Sequence, residues 1–330
     1  MGRDRTPRPG HPSRVPGTIA VVSLAGRFAP SPTGELHLGN LRTALVAWLS
    51  ARSQGLGFVV RVEDLDRITS SVANERLQLR ALASIGLDWD GDVVRQSERF
   101  DLYNVALVDL HDRGLTYECF CTRREVREAA SAPNGPSSFE GAYPGTCRNL
   151  SEADRHRMRA AGRRAALRLC AESAVVSFVD DVCGEVSATV DDFVLRRNDG
   201  VPAYNLAVVV DDAAQNVGEV VRGDDLLATT PRQIFLQGLL GLPTPRYRHV
   251  PLVVGPDGVR LAKRHGAVTI SQLVERGIEA DDVVALLATS LRLARPGERV
   301  VADDLIDRFD VHALPRHAWT LPENLQRSEA

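Results

Sequence analysis

The chain has 330 residues, 44% of them hydrophobic, and a formal net charge of −3. That length supports one large domain or two smaller ones, and the near-neutral balance excludes a polycation, so nucleic-acid contact would need local basic patches. No apolar run approaches the roughly eighteen residues of a membrane-spanning helix, so no membrane contact is expected.

Residues 1–20 are rich in Arg, Pro and Gly and lack the apolar core of a signal peptide; they read as a disordered tail. Residues 21–29 read as a buried strand, followed by a Pro/Ser/Thr/Gly turn and a helix from 40 to 53. A second strand covers 58–62, and helices cover 72–86 and 99–113. This alternation predicts an α/β fold with a doubly wound, Rossmann-type parallel sheet. The pattern then breaks. Residues 127–146 read as a loop, 151–169 as an arginine-rich helix and 174–197 as short strands. The apolar run Leu206–Val210 reads as a strand resuming the sheet, followed by a helix at 229–240 and a strand at 250–254. Residues 272–293 read as helical, with a polar tail after them. The expected organisation is a nucleotide-binding domain over 21–115 and 197–266, an inserted subdomain over 116–196 and a short helical region over 267–330.

Three features carry chemistry. Pro30-Ser31-Pro32-Thr33-Gly34 and His37-Leu38-Gly39-Asn40 lie between the first strand and the first helix, where ligands bind in such sheets. Helix-start N–H groups attract phosphate, Gly39 permits close approach of a nucleotide, and His37 can donate to a phosphate oxygen as charge builds. Lys263 is the only lysine among forty Lys+Arg residues, a compact charge in a chain that otherwise uses arginine. Of the five cysteines, Cys119 and Cys121 form a Cys-x-Cys pair and Cys147 follows. Three thiolates suit tetrahedral zinc with a fourth ligand, a water or His156 on residue type alone. Cys170 and Cys183 match no motif and read as core. With an odd cysteine count and no secretion signal, a reducing cytoplasm fits better than a disulfide framework.

Arg27–Asn40 resembles the first signature of the class I aminoacyl-tRNA synthetases, in the form carried by glutamyl-tRNA synthetases and their relatives. Arg260-Leu261-Ala262-Lys263-Arg264 resembles the second, although Arg260, Ala262 and, in the first signature, Asn40 depart from the usual residues. The resemblance implies a class I catalytic domain with an inserted zinc-binding, acceptor-type subdomain. It implies that His37 and Lys263 are catalytic and that His37, Gly39, Asn40, Lys263 and Arg264 hold ATP, accompanied by Mg²⁺. It implies a glutamate pocket of Arg27, Phe28, Ala29, Pro30, Ser31, Glu63, Tyr204 and Arg222. Arginine forks suit the two carboxylates, while Glu63 and Ser31 suit the ammonium and Tyr204 a carboxylate. Asp64, Asp66, Asp211 and Asp212 would orient arginines, help place ATP or serve structure alone. The resemblance also nominates Tyr143 as the fourth ligand of a structural zinc site with Cys119, Cys121 and Cys147.

Little more than sixty residues follow Lys263, too few for a large anticodon-reading region. With Asp192–Arg197 and Asp224–Leu227, this makes the chain most similar to the glutamyl-queuosine tRNA(Asp) synthetases, a truncated branch of the family. That branch activates L-glutamate with ATP without tRNA, then attaches it to the queuosine base at the wobble position of tRNA(Asp). The alternatives are a short glutamyl-tRNA synthetase charging the 3′ end of tRNA(Glu), and a non-catalytic nucleotide- or tRNA-binding regulator. A cytoplasmic monomer is expected. The arginine-rich helix is read either as a solvated face or as a contact for phosphates.

Overall fold

The computed structural model describes residues 24–130, 142–261 and 268–325. The predicted tail at 1–20, part of the predicted loop, and Lys263 with Arg264 lie outside the described residues. In chain order, β1 (Ala25–Phe28), α1 (Leu38–Ser53), β2 (Gly57–Val62), α2 (Val72–Ser84), β3 (Val94–Arg95) and α3 (Phe100–Asp112) come first. The middle of the chain forms β4 (Thr116–Cys119), α4 (Arg123–Ala130), α5 (Glu152–Ala160), β5 (Ala166–Leu169), β6 (Val175–Asp180), β7 (Gly184–Thr189) and β8 (Val194–Arg196). Then follow α6 (Tyr204–Ala214), β9 (Glu219–Gly223), α7 (Thr230–Leu240), β10 (Arg246–Val250) and β11 (Val253–Val254), and after them α8 (Ile270–Glu275), α9 (Ala280–Ser290) and β12 (Trp319–Thr320).

β1 is buried along its length and pairs in parallel with β2, which pairs in parallel with β3. β9 and β10 pair in parallel on the other side. They join β1 through Ala25, whose N–H donates to the Asn216 carbonyl at 3.0 Å and whose carbonyl accepts from Gly218 at 2.9 Å. The parallel order is therefore β3–β2–β1–β9–β10. α1 is apolar on nearly every face, as a helix enclosed on all sides must be, and Leu38, Leu41, Ala44, Leu45, Leu49 and Ala51 are all buried. It lies so close to β1 that a Cβ on Gly26 would sit 2.8 Å from the Ala51 methyl.

Between α3 and α6 the chain leaves the parallel sheet. β4, β5 and β8 form an antiparallel sheet, and β6 and β7 form a hairpin. Leu167, Leu169, Val190, Phe193 and Leu195 from this stretch pack with α3, α6 and Leu236 of α7 in a second core.

Several readings change, among them the helix at 272–293, which Gly277 with a left-handed φ of +77° divides into α8 and α9. Leu206–Val210 is not a strand; it lies inside α6, and β9 resumes the sheet instead. A short apolar run has no period to separate helix from strand, and α6 is buried on several faces at once, including its polar end at Asp211 and Asp212. The predicted helix at 151–169 stops at Ala160, because Gly162 takes a left-handed φ of +77°, and β5 follows. Part of the predicted 127–146 loop is the end of α4. The tail beyond 296 is not simply polar: Val300, Ala302, Leu305, Leu314 and Leu321 are buried in the main core, and β12 adds to β11. Among the described residues no helix is long and apolar enough to cross a membrane.

Candidate active site

The strand order reverses between β1 and β9, the point at which doubly wound sheets open a crevice at their carboxyl ends. A cleft of about 600 Å³ occupies it, lined by Arg27, Phe28, Ala29, Pro30, Ser31, His37, Gly39, Asn40, Glu63, Tyr204 and Arg222. A second cavity of about 830 Å³ lies among Arg292, His312, Arg316, His317 and Trp319 and contains none of the predicted site residues.

On one wall, the loop after β1 enters α1 through His37. Its backbone is extended (φ −88°, ψ 166°), and Nδ1 accepts the N–H groups of Gly39 at 3.1 Å and Asn40 at 3.3 Å. Asn40 Oδ1 accepts the His37 N–H at 3.2 Å, completing a reciprocal capping box. With Nδ1 acting as acceptor, the imidazole proton resides on Nε2. A Cβ on Gly39 would lie 3.0 Å from the ring, so any larger residue there would crowd the His37 cap.

On the opposite wall, Arg222 donates through Nη1 to the Tyr204 hydroxyl at 3.2 Å, through Nη2 to Thr230 Oγ1 at 2.8 Å and through Nε to His249 Nε2 at 3.1 Å. One N–H on each of Nη1 and Nη2 is left without a partner among the described residues, so the guanidinium keeps donor capacity for an anion in the cleft it lines. Arg27 donates to the Val221 carbonyl at 2.8 Å and sits 3.6 Å from Asp212. Burial pulls the Arg27 guanidinium below its ordinary pKa; Asp212 opposes that, and the nearby charges of Arg61 and Arg222 add to it. Two buried arginines facing one cleft favour an anionic ligand. Burial pushes the Glu63 carboxyl above the usual range, although Arg61 and Arg27 pull it back. Burial also raises the Tyr204 hydroxyl, which stays a donor.

The four aspartates separate. Asp212 bonds Arg61 at 2.8 Å and also faces Arg27, so it orients arginine. Asp211 also orients arginine, accepting from Arg99 at 2.6 Å and lying 3.8 Å from Arg61 while Gln96 and Tyr103 donate to it; Asp64 accepts the Ser97 N–H and hydroxyl and serves structure. Asp66 caps the backbone of Ile68. None of the four lines the cleft. Gln78 does line it and was not foreseen: its amide donates to the carbonyls of Ser31 and Gly34 at 3.0 and 2.6 Å, fixing the loop. A glutamine on the buried stripe of α2 beside Leu82 was the available signal. Arg260, noted only as a departure from the motif, forms an ion pair with Asp225, and both line the cleft.

Residues 23–320 match the family model of the class I tRNA synthetase catalytic domain for E and Q. The chain belongs to this synthetase family. It is 58% identical over 311 residues to a glutamyl-Q tRNA(Asp) synthetase of Nocardia farcinica, covering 93% of this chain and 97% of that protein. It is 42% identical to a glutamate–tRNA ligase of Oleidesulfovibrio alaskensis, covering 91% of this chain but 64% of that one. Among solved structures, a glutamate tRNA ligase of Elizabethkingia meningosepticum in complex with its amino acid superposes with a TM-score of 0.77 at 26% identity, covering 92% of this chain and 68% of that one. The architecture is thus the class I synthetase catalytic fold.

This synthetase carries a cysteine cluster in the stretch between α3 and α6. The sulfurs of Cys119, Cys121 and Cys147 lie within 4.8 Å of one another, a set able to hold a metal ion. The Tyr143 hydroxyl stands among them, 3.3 Å from Cys119 Sγ and 3.7 Å from Cys121 Sγ, and accepts the Cys147 N–H at 2.8 Å. The Arg168 guanidinium stacks 3.7 Å over the Tyr143 ring. Burial pushes the Cys121 thiol up to about 12, with its neighbouring sulfurs adding to the effect. His156 is exposed and outside the cluster. Cys183 is exposed rather than core, and Cys170 is half-buried. The arginines of α5 face their own acids: Arg155 pairs with Glu152, Arg157 with Asp154, and Arg159 with Glu152 and Glu118.

Proposed function

We propose that the chain activates L-glutamate with ATP and transfers the glutamyl group to the queuosine base of tRNA(Asp). The observation that carries the reading is the convergence of Arg27, Arg222, Tyr204 and Glu63 on one cleft beside the capped start of α1. These residue types suit a ligand with two carboxylates and an ammonium: Arg222 and Tyr204 take one carboxylate, and Glu63 with Ser31 takes the ammonium. ATP would lie toward His37, Gly39 and Asn40, where Mg²⁺ would neutralise phosphate charge and Lys263 and Arg264 would add to it. A glutamate carboxylate oxygen attacks the α-phosphorus, the bond to the β-phosphate breaks and pyrophosphate leaves. A queuosine hydroxyl then attacks the carbonyl carbon, the ester forms, AMP departs and the hydroxyl proton is released. Positioning and charge neutralisation supply the catalysis. The match along nearly the whole length of the Nocardia protein supports queuosine as acceptor.

Cys119, Cys121, Cys147 and Tyr143 fit a structural zinc ion, with three soft thiolates and one oxygen. It would tie the end of β4 to the segment around Cys147. None of the four residues lines the cleft, so the ion serves the insert and not the adenylation step.

The test of the acceptor is transfer of labelled glutamate to tRNA(Asp) bearing queuosine, tRNA(Asp) lacking it, and tRNA(Glu). Only the first is expected to be labelled. Labelling of tRNA(Glu) would favour an ordinary glutamyl-tRNA synthetase, and labelling of none would leave the transfer reading without support.

A further inference from the structure

Behind Arg222, away from the cleft, stands a buried chain of groups that the proposed reaction does not use. His249 on β10 and Asp180 at the end of β6 are 0% and 1% exposed. His249 Nε2 accepts from Arg222 Nε at 3.1 Å, and Thr230 Oγ1 lies 3.0 Å from the same nitrogen. His249 Nδ1 lies 2.7 Å from Asp180 Oδ2. Asp180 Oδ1 accepts the backbone N–H groups of Val182 at 3.0 Å and Cys183 at 2.8 Å, and the His249 N–H reaches both carboxylate oxygens.

These bonds allow one arrangement of protons. A guanidinium Nε can only donate, so His249 Nε2 must accept, and the ring proton must sit on Nδ1, facing the carboxylate. Burial, with the adjacent charge of Arg222, holds His249 below its ordinary pKa against the pull of Asp180, consistent with a neutral ring. Tyr247 braces the assembly, stacking on the His249 ring with centroids 6.1 Å apart and lying 5.6 Å under the Arg222 guanidinium.

We propose that Asp180 and His249 are positioning residues for amino-acid selection: Asp180 fixes the tautomer of His249, which in turn aims the Arg222 fork at the ligand carboxylate. Because Asp180 belongs to the β6–β7 hairpin, the insert takes part in building the amino-acid pocket. This rests on the proposed role of Arg222 in glutamate binding.

Asp180→Asn is the sharpest probe because it preserves shape. The backbone donors of Val182 and Cys183 require the amide oxygen, which turns the amide N–H₂ toward His249 Nδ1. The ring proton then moves to Nε2 and opposes the Arg222 donor. In glutamate-dependent ATP–pyrophosphate exchange, Asp180→Asn and His249→Leu are expected to raise the glutamate KM about ten-fold or more while leaving the ATP KM near wild type. His249→Gln, which can present an oxygen to Arg222, is expected to recover much of the loss. Imidazole ¹⁵N shifts of the wild-type protein are expected to report a neutral His249 protonated on Nδ1. A glutamate KM close to wild type in both Asp180→Asn and His249→Leu, a parallel rise in the ATP KM, or an Nε2–H tautomer in the wild type would each overturn the inference. Absence of exchange in the wild-type protein is a separate failure, that of the glutamate-activation reading itself.

Discussion

The Arg222 guanidinium is held by residues of three elements: Tyr204 at the start of α6, Thr230 at the start of α7 and His249 on β10. A side chain so fixed has lost its rotamer entropy before ligand arrives, which is what pre-organisation means energetically. Arg222→Lys keeps the charge but loses the fork. The glutamate KM is expected to rise about thirty-fold, equivalent to about 2 kcal/mol, with the ATP KM unchanged; equal rises in both would contradict a glutamate contact. Glu63 makes the opposite trade. Its carboxyl is raised in the fold by burial, so between its unfolded and folded pKa values the native state holds more protons than the unfolded chain, and stability falls as pH rises through that window. Glu63→Gln is therefore expected to match wild type near pH 4 and to become the relatively more stable protein toward pH 7, while its glutamate KM rises. Thermal unfolding across that range checks the sign. Sequence could nominate Arg222 and Glu63 through motif and charge. His249 and Gln78 could not be read in the same way, because their work is done through partners distant in the chain.

At the scale of the element, His37 has two jobs that substitution can separate. It caps α1, and its imidazole stands where phosphate is expected. His37→Ala is expected to lose about 1 kcal/mol of stability and on the order of a hundred-fold in exchange rate. His37→Asp restores an N-cap acceptor, so stability should recover while exchange stays low. Recovery of both would reduce His37 to a cap. The first strand, α1 and the turn between them were legible because a buried strand, a proline-glycine turn and an apolar helix follow in order. Leu206–Val210 was not, because five apolar residues carry no period; in the fold the segment is a helix buried against α3, α7 and β8. The arginine-rich segment misled for another reason. Its charge pattern ran on past Gly162, but a left-handed glycine ends a helix whatever the charges beyond it.

For the whole molecule, the parallel sheet carries the cleft, and the insert contributes both the cysteine cluster and the hairpin that reaches Asp180. If the cluster holds zinc, the purified protein should contain about one zinc per chain. Cys147→Ser should lose the zinc and lower the unfolding temperature, yet retain adenylation at saturating glutamate. Full retention of zinc in that variant would exclude Cys147 as a ligand. The packing of residues beyond 296 into the main core was hidden in the sequence because Leu305, Leu314 and Leu321 are spaced too widely to form a periodic stripe. In the proposed reaction this cleft makes glutamyl-adenylate without RNA. The direct measurement is ATP–pyrophosphate exchange with the full chain, each amino acid in turn and no RNA present. Exchange is expected with glutamate, little with aspartate or glutamine, and none in Lys263→Ala. Exchange absent with glutamate, or unchanged in Lys263→Ala, would contradict glutamate activation at this cleft.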